Sequence, residues 1–125
     1  MTSGSQAGLP DLYQDVLIVE DDPIIALGFE DTVLGLGVPN VRVAANVASA
    51  LQMIDARAPD FALLDVGLVH EQSFAVAERL AALSIPFAFA TGYGADRVPA
   101  EFADRPRLPK PYPIDALEAV LRRKV

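Results

Sequence analysis

From residue 15 onward, short unbroken apolar runs alternate with stretches whose apolar positions recur every three or four residues. Val16-Leu17-Ile18-Val19 is such a run and stops at Glu20-Asp21-Asp22. A continuous apolar run of this length is the pattern of a strand covered on both faces. Pro23 suits the first turn of a helix. Ile25, Phe29, Val33 and Leu36 then mark a core-facing stripe, with Gly35 and Gly37 as the stop. Residues 41–45 predict a second strand, and Asn46 an N-cap for a helix carrying Ala50, Leu51 and Ile54.

Pro59 precedes a third apolar run, Phe61-Ala62-Leu63-Leu64, which ends at Asp65. Ser73 is placed to cap a helix carrying Phe74, Ala77, Leu80 and Leu83. Residues 85–90 predict a fourth strand, ending at Thr91-Gly92. Between Gly94 and Pro109, three prolines and mixed polarity allow a short or irregular helix near 99–104 and a poor fifth strand at 106–109. Pro113 opens a last helix with Ile114, Leu117, Val120 and Leu121 on one face. Five strands alternating with helices imply an α/β fold, a parallel sheet with helices on both sides. Residues 1–14, polar and Gly/Ser-bearing, are expected to be a flexible leader to one domain at 15–125.

Composition narrows the classes of function. The 125 residues suffice for one compact domain and leave no room for an output domain, so any readout is expected in trans. Seventeen acidic residues against ten basic ones give a formal charge of −7, which argues against direct nucleic-acid binding. The basic run Arg122-Arg123-Lys124 ends a predicted helix, where it complements the dipole. There is no cysteine for disulfides or thiolate chemistry, and no apolar run long enough to span a membrane. A cytoplasmic location is the expectation.

Glu20, Asp21, Asp65, Thr91 and Lys110 each fall at or just past the end of a predicted buried strand. Sites in parallel sheets lie beyond the strand C-termini. Carboxylates brought together there must titrate upward or hold a cation. An oxygen-only set favours Mg²⁺ over a soft metal. A carboxylate beside that ion can act as a nucleophile toward phosphorus, while an ammonium and a hydroxyl take up charge on the phosphoryl oxygens. Asp22 reads as a first-turn helix stabiliser. His70, the one histidine, reads as a solvated loop residue, and Phe87 and Phe89 as core.

Val19-Glu20-Asp21-Asp22-Pro23, Leu64-Asp65, Ala90-Thr91-Gly92 and Lys110-Pro111 together resemble the bacterial two-component response-regulator receiver family. The resemblance runs from about residue 15 to the end of the chain. It implies a doubly wound five-stranded parallel sheet of the flavodoxin/CheY-like type. It also implies Asp65 as phosphoacceptor, Asp21 as a direct Mg²⁺ ligand, Glu20 acting through water and the Gly67 carbonyl as a further ligand. Thr91 would be the switch hydroxyl and Lys110 the phosphate-contacting lysine. Phe87-Ala88-Phe89-Ala90-Thr91-Gly92-Tyr93-Gly94 resembles the FATGUY-type single-domain subgroup, in which the fourth helix is short or missing.

The pattern is broken at one position. Arg107 stands three residues before Lys110, where most receivers carry an aromatic switch residue. Tyr93 is the candidate substitute. The implied partners are a histidine kinase or histidine phosphotransfer protein as donor and a downstream protein bound through residues 91–112, with Tyr112 open to recognition or packing. Two alternatives stand beside the switch. One is a phosphorylation-independent adaptor with the receiver fold. The other is an Asp-nucleophile phosphatase, for which Gly67 replaces the second acid that haloacid-dehalogenase-type enzymes place two residues after the nucleophile.

Overall fold

The structure is a computed structural model that describes residues 11–68, 71–91, 98–109 and 113–123. In chain order the strands are β1 (Asp15–Val19), β2 (Asn40–Ala44), β3 (Phe61–Asp65), β4 (Gly67–Leu68), β5 (Glu71–Gln72), β6 (Phe87–Thr91) and β7 (Arg107–Pro109). The helices are α1 (Pro23–Leu36), α2 (Val47–Ala56), α3 (Phe74–Ala82) and α4 (Ile114–Leu121). Five strands form one parallel sheet in the order β2-β1-β3-β6-β7. The fold is therefore a parallel sheet with helices on both sides, as the alternation predicts, in the doubly wound, flavodoxin/CheY-like form that the family resemblance implies.

Strand periodicity divides the core between the two faces of the sheet. Val16, Ile18, Phe61, Leu63, Ala88 and Ala90 pack with Phe29 and Val33 of α1 and Leu117 and Leu121 of α4. Leu17, Val19, Ala62, Leu64, Phe87 and Phe89 pack with Ala50 and Ile54 of α2 and Val76, Ala77 and Leu80 of α3. Between β6 and β7 the described residues hold only a 3-10 turn, Ala100–Phe102. Aromatic rings fill the space beneath it. Phe102 meets Phe87 edge-on at 5.6 Å, and Phe87 meets Phe89 at 5.5 Å. The small Ala88 and Ala90 point the other way, toward full helices.

Capping explains where the helices begin and end. Asp22 accepts hydrogen bonds from the backbone N–H groups of Ile24 and Ile25 at 2.9 and 3.2 Å, and Pro23 opens α1. Gly37, with φ of 116°, takes the left-handed conformation that closes α1. Asn46 caps α2 by accepting from Ser49 N–H at 2.8 Å.

Several expectations need correction. Ser73 occupies the N-cap of α3, but its side chain makes no capping bond and its buried Oγ has no hydrogen-bond partner among the described residues. Ala26, not Ile25, completes the inward stripe of α1. Ile25 is 41% exposed, beside Ile24, Leu27 and Leu34 at 81%, 58% and 43%. When nearly a whole helix is apolar, periodicity alone does not choose its inner face. Ile114 likewise faces solvent, as does Leu83. The chain is also packed before residue 15. Leu12 is fully buried, Tyr13 stacks on Phe61 at 4.7 Å, and Leu12 bridges Arg122 in antiparallel fashion. Residues 1–10 lie outside the described residues.

Candidate functional site

Parallel pairing brings the strand ends level. Val19 is paired with Ala44 on one side and Leu64 on the other, Asp65 with Ala90, and Thr91 with Pro109. Residues that follow these positions emerge at one rim. The rim is held by backbone bonds just beyond the strands: Glu20 N–H donates to the Ala44 carbonyl at 3.0 Å, and Val66 N–H to the Ala90 carbonyl at 3.3 Å.

Three carboxylates meet there. Oxygens of Glu20, Asp21 and Asp65 all lie within 4.8 Å of one another. Glu20 is buried at 2% exposure, while Asp21 and Asp65 are half-buried. The Glu20 carboxylate accepts a hydrogen bond from Asp22 N–H at 3.2 Å, which fixes its direction. The acidic triplet thus divides its work: Glu20 and Asp21 join the cluster, whereas the Asp22 carboxylate caps α1.

The cluster fits a hard divalent cation. With bonds of 2.0–2.1 Å, two oxygens on one octahedral Mg²⁺ sit about 2.9 Å apart when adjacent and about 4.2 Å when opposite. With oxygens within 4.8 Å of one another, the three carboxylates lie within reach of one such ion, directly or through water. The donors are all oxygen, and a buried carboxylate beside two others calls for positive charge.

The other expected residues are placed unevenly. Gly67 opens β4, two residues beyond Asp65, and β4 pairs with β5 in an antiparallel hairpin (Gly67 with Gln72, Leu68 with Glu71). The strand and helix pattern did not foresee this hairpin, because two-residue strands are too short for periodicity to register. Thr91 ends β6 at the same rim. Arg107 opens β7 opposite Phe89, exposed at the surface. Lys110, Tyr93, His70 and Tyr112 lie outside the described residues, as does the turn that would join Lys110 to Pro111. No helix among the described residues is long and apolar enough to cross a membrane.

Comparison with known proteins gives a consistent picture. Residues 16–122 match the response regulator receiver domain. The solution structure of SdrG from Sphingomonas melonis Fr1 is similar to 90% of this chain and covered over 96% of its own, at 43% identity and TM-score 0.78. A structure described as the BeF3-activated conformation of SdrG from Pseudomonas melonis Fr1 gives 41% identity and TM-score 0.75, with 90% and 96% of the two chains covered. The anti-anti-sigma factor PhyR from Bartonella quintana matches 85% of this chain and 44% of its own at 28% identity, TM-score 0.72. Among curated proteins, the phyllosphere-induced regulator PhyR of Methylorubrum extorquens is 33% identical over 86 residues, 66% of this chain. The chain spans about a third of that relative's length.

Proposed function

Because the chain belongs to the response regulator receiver family, we propose that it accepts a phosphoryl group on Asp65 and thereby switches a partner-binding face. Receivers of this family are phosphoacceptors and not turnover enzymes. The observation that carries the proposal is the three-carboxylate cluster, with Asp65 at the end of the central strand β3.

In this reading Asp21, Asp65 and the Gly67 carbonyl hold Mg²⁺ directly, and Glu20 through water. The bound ion supplies charge neutralisation for the phosphoryl oxygens. An Asp65 carboxylate oxygen attacks phosphorus, an O–P bond forms, and the P–N bond to the donor histidine breaks. Lys110 pairs with the phosphoryl oxygens and the Thr91 hydroxyl donates to one of them. That inward pull reshapes the surface of residues 91–112 for a protein partner. The donor is a histidine kinase or a histidine phosphotransfer protein, and the setting is cytoplasmic. The exposed apolar residues of α1, Ile24 and Leu27, begin next to Asp21 and suit the donor's docking. A BeF3-activated SdrG supports an activatable site, and an anti-anti-sigma PhyR supports a protein rather than DNA as the downstream target.

Arg107 favours one other reading, an adaptor that works without phosphorylation, because it replaces the usual aromatic relay. A single experiment separates the two. Incubation with acetyl phosphate and Mg²⁺, followed by intact mass measurement, is expected to show one phosphoryl group added to the native chain and none to Asp65→Asn. No adduct on the native chain would leave the adaptor. Continuous hydrolysis of the acetyl phosphate at a high rate would instead indicate a phosphatase.

A further inference from the structure

The two edges of the sheet are finished differently. β7 has three residues, with Pro106 before it and Pro109 at its end. Proline on a short edge strand blunts it against further pairing. β2, at the opposite edge, has five residues and no proline among them. Among the described residues no strand lies along its outer side.

Register decides which backbone groups that side presents. Asn40 N–H donates to the Gln14 carbonyl, and the Ala44 carbonyl accepts from Glu20 N–H. Asn40, Arg42 and Ala44 therefore turn their backbone groups toward β1, while Val41 and Val43 turn theirs outward. The one charged side chain of β2 does not guard this edge. Arg42 is folded back on its own chain, 3.1 Å from the Asp15 carboxylate and 3.2 Å from the Met53 carbonyl.

The flanking helices continue the same surface. α1 buries Ala26, Phe29 and Val33, so its right-handed crossover from β1 to β2 turns Leu34 toward the β2 edge, where it is 43% exposed. By the same geometry α2 turns Met53 toward that edge and Asp55 away from it, in agreement with the Asp55–Arg79 ion pair to α3. Helix, strand and helix make a side three layers deep, each layer about 10 Å thick and about 17 Å long. That is about 500 Å² per copy and about 1,000 Å² in a pair, enough for a specific but weak interface.

We propose that the β2 edge is a homodimer surface, on which β2 of a second copy pairs antiparallel about a two-fold axis at Arg42. Pairing centred there sets Val41 opposite Val43 of the second copy, and Val43 opposite its Val41. These are the residues whose backbone groups face outward, so four hydrogen bonds form and every outward N–H and C=O of β2 is used. Centring on Val41 or Val43 instead engages only one such pair within β2. This self-complementarity, together with the area, selects a second copy over an unrelated strand. Leu34 of each copy flanks the axis on one face of the joined sheet and Met53 on the other. Asp65 lies on β3, two strands in from this edge, and stays open to a phosphodonor.

Sedimentation equilibrium of the full chain, from about 10 µM to about 1 mM, should show a reversible monomer–dimer equilibrium. In a sample mixing isotope-labelled and unlabelled chains, intermolecular NOEs should join Val41 to Val43. Val43→Pro removes an outward donor that the monomer's own ladder does not use, and should weaken the dimer at least about tenfold. Leu34→Asp leaves β2 untouched and should weaken it similarly, which keeps the test decisive if Val43→Pro loses its dispersed spectrum. A monomer at about 1 mM would overturn the proposal and leave the edge to a strand of another protein. A dimer unmoved by both variants, or intermolecular contacts elsewhere on the molecule, would overturn it equally.

Discussion

The rim of the sheet is built from two unequal halves. On one side β1 and β3, five residues each, are paired on both flanks and deliver Glu20, Asp21 and Asp65 to a single cluster. On the other, β7 has three residues at the sheet edge, and the described part of its approach from β6 is a 3-10 turn anchored by Phe102. Ala100, Glu101, Ala103 and Asp104 around that anchor are exposed. The charge-bearing half rests on deep, two-sided packing. The half proposed for the readout rests on two buried side chains, Phe102 against one face of the sheet and Leu108 against the other. A phosphoryl group placed between them would find one side able to hold it and the other able to give way.

The comparison breaks if the acidic half proves dispensable. Glu20→Gln removes a buried charge from the cluster and should weaken Mg²⁺ by about 10- to 100-fold, read from the metal dependence of phosphorylation by acetyl phosphate. An unchanged metal dependence would remove Glu20 from the site.

The packing difference has its own test. Leu64→Ala, in the fully buried centre of β3, should lower unfolding free energy by about 2–5 kcal/mol in urea titrations and affect the whole domain. Phe102→Ala should cost about 3 kcal/mol or less, because its surroundings can collapse, and it should speed hydrogen exchange mainly at 100–109. Uniform loss of protection across β1 and β3 in Phe102→Ala would show that the two halves are a single cooperative unit.

Two N-caps sharpen the contrast at smaller scale. Asp22→Ala removes two hydrogen bonds from the start of α1 and should cost about 1 kcal/mol while leaving the Mg²⁺ dependence intact. A metal defect in this variant would mean that Asp22 belongs to the cluster. Ser73→Ala should be neutral or stabilising by up to about 1 kcal/mol, because its buried hydroxyl has no hydrogen-bond partner among the described residues. A clear drop in the urea midpoint would contradict that reading of Ser73.

The sequence by itself determined the strand runs, the alternation that makes the sheet parallel, the Asp22 and Asn46 caps, and the placing of Glu20, Asp21 and Asp65 at strand ends. These follow from local chemistry: an apolar run buried on both faces must stop where the first charges appear, and the fold then carries those charges to one rim. Tertiary structure decided what local pattern leaves open. Ala26 faces inward in place of Ile25 because contact with β1 and β2 selects one face of a helix that is apolar on nearly every side. Leu12 and Tyr13 join the core because Phe61 and the end of α4 give them something to pack on. Ser73 makes no cap because its backbone, at φ −82° and ψ 12°, is not in the extended conformation of a capping residue, and Arg105 gained a place over Phe87, a neighbour remote in the chain. Spacing along a sequence sets which groups reach the same edge of a sheet, but only packing sets which of them touch.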